Sequence, residues 1–203
     1  MSGVSTRSVD ALVESIGAAS GISKSEVSRI CAGLDERVAA FRNRTLGHTE
    51  FPYVYLDAMN LPVRLARRVV KVPVLAAIGV RDDGEKILLS LDIARTESTV
   101  AWKGVVEGLA RRDLSAPALA IVDGNPGLLR ALRSVWPETK IQRCTNHKRE
   151  NLLSKAPTYC HPELKRDYAA IVYADDLKAA LAARQTFLRK WKTLSTEVVR
   201  SLE

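Results

Sequence analysis

The chain has 203 residues, 46% of them hydrophobic and 27% charged, a composition that predicts a globular, soluble protein with one sizeable core and a small second unit. Its 31 Lys and Arg against 23 Asp and Glu give a net charge of +8, which favours a polyanionic partner, nucleic acid first, because basic groups release counterions from phosphates. The plainer alternative is a basic surface that only aids solubility. Three scattered cysteines make no disulfide framework and point to a reducing compartment, the cytoplasm. A start without a basic segment leading a long apolar one, and the lack of any bilayer-length apolar run, argue against secretion and membrane insertion.

In chain order, residues 8 to 41 read as helices, Arg42 to Glu50 as a polar linker, and β-type segments begin at Phe51. Strands are predicted near Tyr53 to Asn60, Val74 to Val80 and Lys86 to Ala94, the last two joined as a hairpin by Arg81-Asp82-Asp83-Gly84. A helix follows from Ser98 to Arg112. The short apolar run Ala118 to Val122, bounded by Pro117 and Gly124, suits a central strand buried on both faces. A helix from Gly127 to Trp136 and a strand from Lys140 to Arg143 come next, and the rest reads as helical, including Asp175 to Lys192. Three meandering strands before two alternating α/β steps predict an α/β fold with an RNase H-like mixed sheet, although other α/β folds share the pattern. The domain reading is a helical DNA-binding segment over 1–48, a first part of a catalytic core over 51–156, and an incomplete all-helical insertion over 157–203.

In the N-terminal segment, Ser23 and Glu26 have capping-box spacing, Ile22 and Val27 the spacing of a hydrophobic staple, and Val27, Ile30, Cys31 and Leu34 one apolar face. The opposite face carries Lys24, Ser25, Ser28 and Arg29. An earlier amphipathic segment with Val9, Leu12, Val13 and Ile16 precedes it across Gly17 to Gly21. The pair reads as a helix-turn-helix whose second helix offers small polar and basic side chains to the major groove, or as an ordinary helical hairpin.

Asp57 is a charged residue inside the β-prone run Tyr53 to Met59, and Asp123 ends the apolar run before Gly124. The C-terminal edge of a parallel strand is where α/β sheets bind ligands. Two carboxylates brought together there repel each other unless a divalent cation neutralises them, and Mg²⁺ suits hard oxygen ligands and phosphate substrates. Each acid alone also fits a turn former or helix cap. Cys144 and His147 have the gap of half a zinc site, but the other half is not evident: Cys160 and His161 are adjacent and sterically awkward. The local reading gives Cys144 a packing role and His147 a hydrogen bond or phosphate contact. Around them Arg143, Lys148, Arg149 and Lys155 form a basic cluster that suits a DNA backbone or a solvated helix face.

Several blocks in order resemble Mutator-type transposases of the IS256 group: Tyr55-Leu56-Asp57-Ala58, Ala77-Ile78-Gly79-Val80 with Asp83-Gly84, Glu97-Ser98 with Trp102, Val122-Asp123-Gly124 with Gly127-Leu128, and Gln142-Arg143-Cys144 with His147 and Asn151. The resemblance implies cutting and joining of double-stranded DNA, at transposon ends and target, by an Asp-Asp-Glu site with two Mg²⁺ (or Mn²⁺) ions, in a homo-oligomer on DNA. Asp57 and Asp123 would be the first two metal ligands, and Cys144 with His147 match the family's supporting C-x2-H signature. The segment that bears the family's catalytic Glu is not matched, so the expectation is a truncated copy. Two alternatives stand beside it: a non-catalytic DNA-binding remnant acting on transposon ends or on a full-length partner, and a free-standing nuclease using Glu150.

Overall fold

The structure, a computed structural model, describes residues 23–65 and 68–202. It divides into two compact units, Met1–Leu46 and Gly47–Glu203. In the first, helix α1 (Lys24–Asn43) starts where Ser23, in an extended conformation, accepts a hydrogen bond on Oγ from the Glu26 N–H at 3.3 Å. The Glu26 carboxylate faces Arg29 at 3.4 Å, i to i+3 along the same helix. At the far end the Arg44 guanidinium lies 4.6 Å over the Phe41 ring. Ile30, Leu34 and Val38, four residues apart, form an exposed apolar stripe. The expected partner helix through Val9 and Ile16 lies outside the described residues.

The second unit is built on a mixed sheet of β1 (Tyr53–Leu65), β2 (Arg68–Val80), β3 (Lys86–Ile93), β4 (Leu119–Val122) and β5 (Lys140–Arg143), in the order β3-β2-β1-β4-β5. β1 to β3 are antiparallel neighbours, and β4 and β5 run parallel to β1, the arrangement expected of an RNase H-like sheet. The parallel steps are made through helices α2 (Thr99–Arg111) and α3 (Pro126–Val135). The hairpin between β2 and β3 closes with Gly84 N–H on the Arg81 carbonyl at 2.9 Å. No helix among the described residues is long and apolar enough to cross a membrane.

The sheet has two unlike faces, and the register explains which residues go where. Leu56 stands between Ala77 and Val122, and Val54 between Gly79 and Ala120. These side chains are buried, as are Trp102, Val106 and Leu109 of α2 and Leu128 and Leu132 of α3. Gly79 leaves room for Phe51, because a Cβ there would sit 2.4 Å from the Phe51 ring. On β3, a bulge opposite Ala77 and Ile78 turns the consecutive residues Leu89 and Ser90 both inward, which strict alternation forbids. On the other face Tyr53, Tyr55, Met59, Leu88, Leu91 and Ile93 are exposed. β4 is central, as expected, but buried on one face only: Ala120 and Val122 are covered, while Leu119 and Ile121 share the open face with Tyr53 and Tyr55 and are half-buried.

β1 and β2 are also longer than the sequence predicts. Each has 13 residues, paired from Tyr53↔Val80 to Leu65↔Arg68, so the hairpin continues past the ends of β3 and β4 as a free two-stranded ribbon. Pro62 and Pro73 interrupt the β signal there, and the ribbon accepts them because its outer edges need no ladder bonds.

After β5 come α4 (Thr145–Leu153), a 3₁₀ turn (Thr158–Cys160), α5 (His161–Val172), α6 (Leu177–Leu194) and α7 (Thr196–Leu202). They share a core of Leu152, Leu153, Cys160, Leu164, Tyr168, Phe187, Trp191 and Val198. At its rim Asp167 accepts from the Trp191 indole at 3.0 Å and from Lys190 at 2.6 Å, and Lys190 also meets Glu163 at 2.6 Å. The hydrogen bond to Asp167, then that to Glu163, holds the Lys190 pKa above its ordinary value. Trp191→Ala, which empties the centre of this core, is expected to destabilise the chain by about 3–5 kcal/mol. Urea unfolding followed by helical circular dichroism measures this, and a loss below about 1 kcal/mol would mean that the helices do not depend on that core.

Candidate active site

The parallel pairing of β1 with β4 ends at Leu56↔Val122, and the next residue on each segment is an acid, Asp57 and Asp123. By alternation Asp57 lies on the open face, with Tyr55 and Met59. Its carboxylate is half exposed, and Oδ1 accepts from the Ala58 N–H at 2.9 Å.

Asp123 begins a tight loop fixed from several sides. Its Oδ1 accepts from the Asn125 N–H at 2.7 Å. Gly124 takes φ +92°, and a Cβ there would lie 2.8 Å from the Arg143 Nε, so glycine is needed both for conformation and for space. Arg143 closes over the loop and donates from Nε to the Asp123 carbonyl at 3.2 Å. Asn125 Oδ1 caps α3 by accepting from Gly127 and Leu128 at 2.7 and 3.2 Å, with Pro126 in the first turn, where no N–H is required. Its amide donates to Glu97 Oε2 at 3.1 Å.

The C-x2-H pair straddles the start of α4. The Cys144 N–H extends the sheet to the Val122 carbonyl at 2.6 Å, and its carbonyl accepts from Lys148. His147, in the first turn of α4, brings Nε2 to 3.8 Å from Asp57 Oδ1. That is beyond hydrogen-bond length but close enough for a protonated imidazole to offset the carboxylate. His147 Nδ1 is closed off from solvent with no hydrogen-bond partner among the described residues. Burial, and then the charge of Arg143, push the Lys148 ammonium below its ordinary pKa. Arg149 pairs with Glu150 at 3.2 Å.

The zinc alternative finds no second half. Cys160 is buried in the helical core, and His161 Nε2 meets the Ala156 carbonyl at 3.1 Å. No group of three or more His, Cys, Asp or Glu assembles as a metal site among the described residues, so Glu150 does not join Asp57 and Asp123. In the first unit Ser25, Ser28 and Arg29 are exposed on α1, where Ser25 shares a 2.9 Å hydrogen bond with Ser23, and Lys24 opens the helix.

The sequence reading brought out both acids and the C-x2-H pair but not the group that links them. The contact of His147 with Asp57, the Arg143 clasp and the Glu97–Asn125 brace depend on pairing across the sheet. Asn125-Pro126 alone carried a local signal, that of a capped helix start.

The sequence matches the family described as "Transposase, Mutator family" over residues 1–203, and the chain belongs to that family. It is 36% identical over 177 residues to the transposase of insertion sequence IS6120 from Mycolicibacterium smegmatis, covering 87% of this chain and 54% of that one. It is 40% identical over 150 residues to the transposase of IS406 from Burkholderia multivorans (73% and 38%), and 30% identical over 191 residues to that of IS256 in Tn4001 from Staphylococcus aureus (94% and 49%). The chain thus spans about half the length of these curated relatives. Among solved structures, the HTLV-2 integrase catalytic core domain in complex with magnesium is a distant likeness, with 12% identity, a TM-score of 0.34, and coverage of 66% of this chain and 91% of that one.

Asn125→Ala removes the α3 cap and releases Glu97, and is expected to cost about 1 kcal/mol, as helix caps do. Thermal unfolding reads the loss; an unchanged midpoint would show that Gly124 and Arg143 hold the loop without the cap.

Proposed function

We propose that the chain contributes the first two metal-holding carboxylates and DNA-binding surfaces of a transposase that cleaves and transfers strands of double-stranded DNA. The observation that supports this reading is the β1–β4 register, which carries Asp57 and Asp123 to neighbouring positions at one end of the sheet. Hard carboxylate oxygens fit Mg²⁺ or Mn²⁺, and Mg²⁺ is commonly held by one or two carboxylates, with waters and substrate phosphate completing its shell. Bound there, such a cation would neutralise phosphate charge and lower the pKa of a bound water or hydroxyl.

The residues around the acids have distinct tasks in this reading. The Asn125 N–H orients the Asp123 carboxylate, and Glu97 holds Asn125 in place. His147 sets Nε2 3.8 Å from Asp57 Oδ1, while Arg143 keeps the Asp123 loop closed. Arg149 and the exposed side chains of Ser25, Ser28 and Arg29 offer phosphate contacts, as does Lys24 by its place in the sequence. Lys148, partly buried beside Arg143, adds a further contact of the same kind. The setting is the cytoplasm, with homo-oligomers on transposon ends and target.

A second reading, a DNA-binding protein that does not cut, is favoured by one observation: no third carboxylate joins Asp57 and Asp123 among the described residues. Incubating the purified chain with labelled transposon-end DNA and Mg²⁺ separates the two. The expected outcome is tight binding at low salt that weakens steeply as salt rises, with nicking that falls to background in Asp57→Asn and Asp123→Asn. Binding without nicking supports the second reading, and no binding at low salt rejects both.

A further inference from the structure

From Asn60↔Pro73 to Leu65↔Arg68 the ribbon formed by the distal halves of β1 and β2 pairs with no further strand among the described residues, its last tie to the β3 side being the Ala94 N–H on the Pro73 carbonyl at 2.9 Å. Those six rows, at about 3.3 Å each, carry it about 20 Å past the sheet. β1 enters it three residues after Asp57, beyond the point where the pairing with β4 stops, so the ribbon projects from the end where the two acids lie.

Its charge is one-sided. No Asp or Glu occurs between Asp57 and Asp82, whereas Arg64, Arg67, Arg68 and Lys71 fall within eight positions around the tip. Arg64, Arg68 and Lys71 are exposed and pair with no carboxylate among the described residues; Arg67 lies outside them. Four other surface cations of this unit meet a carboxylate, Arg81 with Glu85, Lys103 with Glu107, Arg149 with Glu150 and Lys190 with Asp167, whereas the ribbon has no acid of its own to offer. Unmatched positive charge on a narrow arm concentrates a field that attracts polyanions. A two-stranded ribbon also has the width to enter the DNA major groove.

We propose that this ribbon is a second DNA contact, in which Arg64, Arg68 and Lys71 grip backbone phosphates about six base pairs from the strand held at Asp57 and Asp123. The inference rests on the DNA-handling reading above and adds to it a site at a stated distance from the acids. Charge and proline on an exposed strand edge also hinder edge-to-edge aggregation, but that purpose does not require cations only, and acids would serve equally well. Alternation puts Arg64 and Lys71 on one face of the ribbon and Arg68, near the tip, on the other with Leu61, Val63, Val70 and Val72, whose apolar side chains make protein docking the competing use.

The test compares the unaltered chain with a ribbon variant, Arg64→Gln/Arg68→Gln/Lys71→Gln, and with a control of equal charge, Arg166→Gln/Lys178→Gln/Lys192→Gln, whose positions are exposed on α5 and α6. Affinity for duplex DNA is measured as a function of salt, with circular dichroism confirming that all three fold. Loss of three phosphate contacts should flatten the slope of log K against log salt by about 2.7 and weaken binding at low salt about tenfold or more, in the ribbon variant only. Equal losses in both variants would reduce the effect to net charge and overturn the proposal. So would unchanged DNA binding by the ribbon variant, with or without a changed oligomeric state in sedimentation, the shift marking a protein-docking arm. If the unaltered chain fails to bind, the DNA-handling reading itself falls, an outcome distinct from failure of the ribbon alone.

Discussion

Parallel pairing of β1 with β4 is the constraint on which the site depends. Asp57 and Asp123 are 66 positions apart in the sequence, and only that pairing makes them neighbours. The pairing survives because it is anchored one residue back by Leu56 and Val122, both almost wholly buried. A one-residue slip would turn those side chains to the open face and bury the others, so the apolar register that stabilises the core also fixes the acids. Apolar burial of this kind offsets the repulsion that two nearby carboxylates add to the folded state.

A second layer of constraint acts on the Asp123 loop. Arg143, the last residue of β5, reaches back to the Asp123 carbonyl, and Cys144 bonds Val122, so the third parallel strand restrains the end of the second. Glu97 reaches Asn125 from the segment before α2. Residues from the end of β5 and from the segment before α2 thus converge on one tight turn, and its single left-handed position, Gly124, has no space for a side chain beneath Arg143.

Much of the fold was legible in the sequence because its signals are local. Period-two alternation, the apolar run before Asp123 and the Asp83-Gly84 turn placed the strands of the sheet. The family resemblance named both acids and the C-x2-H pair. What escaped was whatever depends on a partner strand. The ribbon escapes the strand readings, which stop at Asn60 and resume at Val74, although a free ribbon tolerates the prolines and cations between them. The bulge at Leu89 was missed because two successive inward residues break the period by which a strand is recognised. β4 was read as buried on both faces because Leu119 and Ile121 are as apolar as Ala120 and Val122, and composition does not reveal which side of a sheet is covered.

The open face has an electrostatic consequence. Tyr55, Met59 and Ile121 share with Asp57 the side of the sheet that α2 and α3 leave uncovered, so water beside these apolar side chains also screens the acid. Any body laid over that face would strip the screening away as it buried the tyrosines. The local dielectric would fall, and both the repulsion between the carboxylates and their affinity for a cation would rise together. The hydrophobic exposure of the sheet and the charge chemistry at its end are therefore one coupled property: covering the first retunes the second.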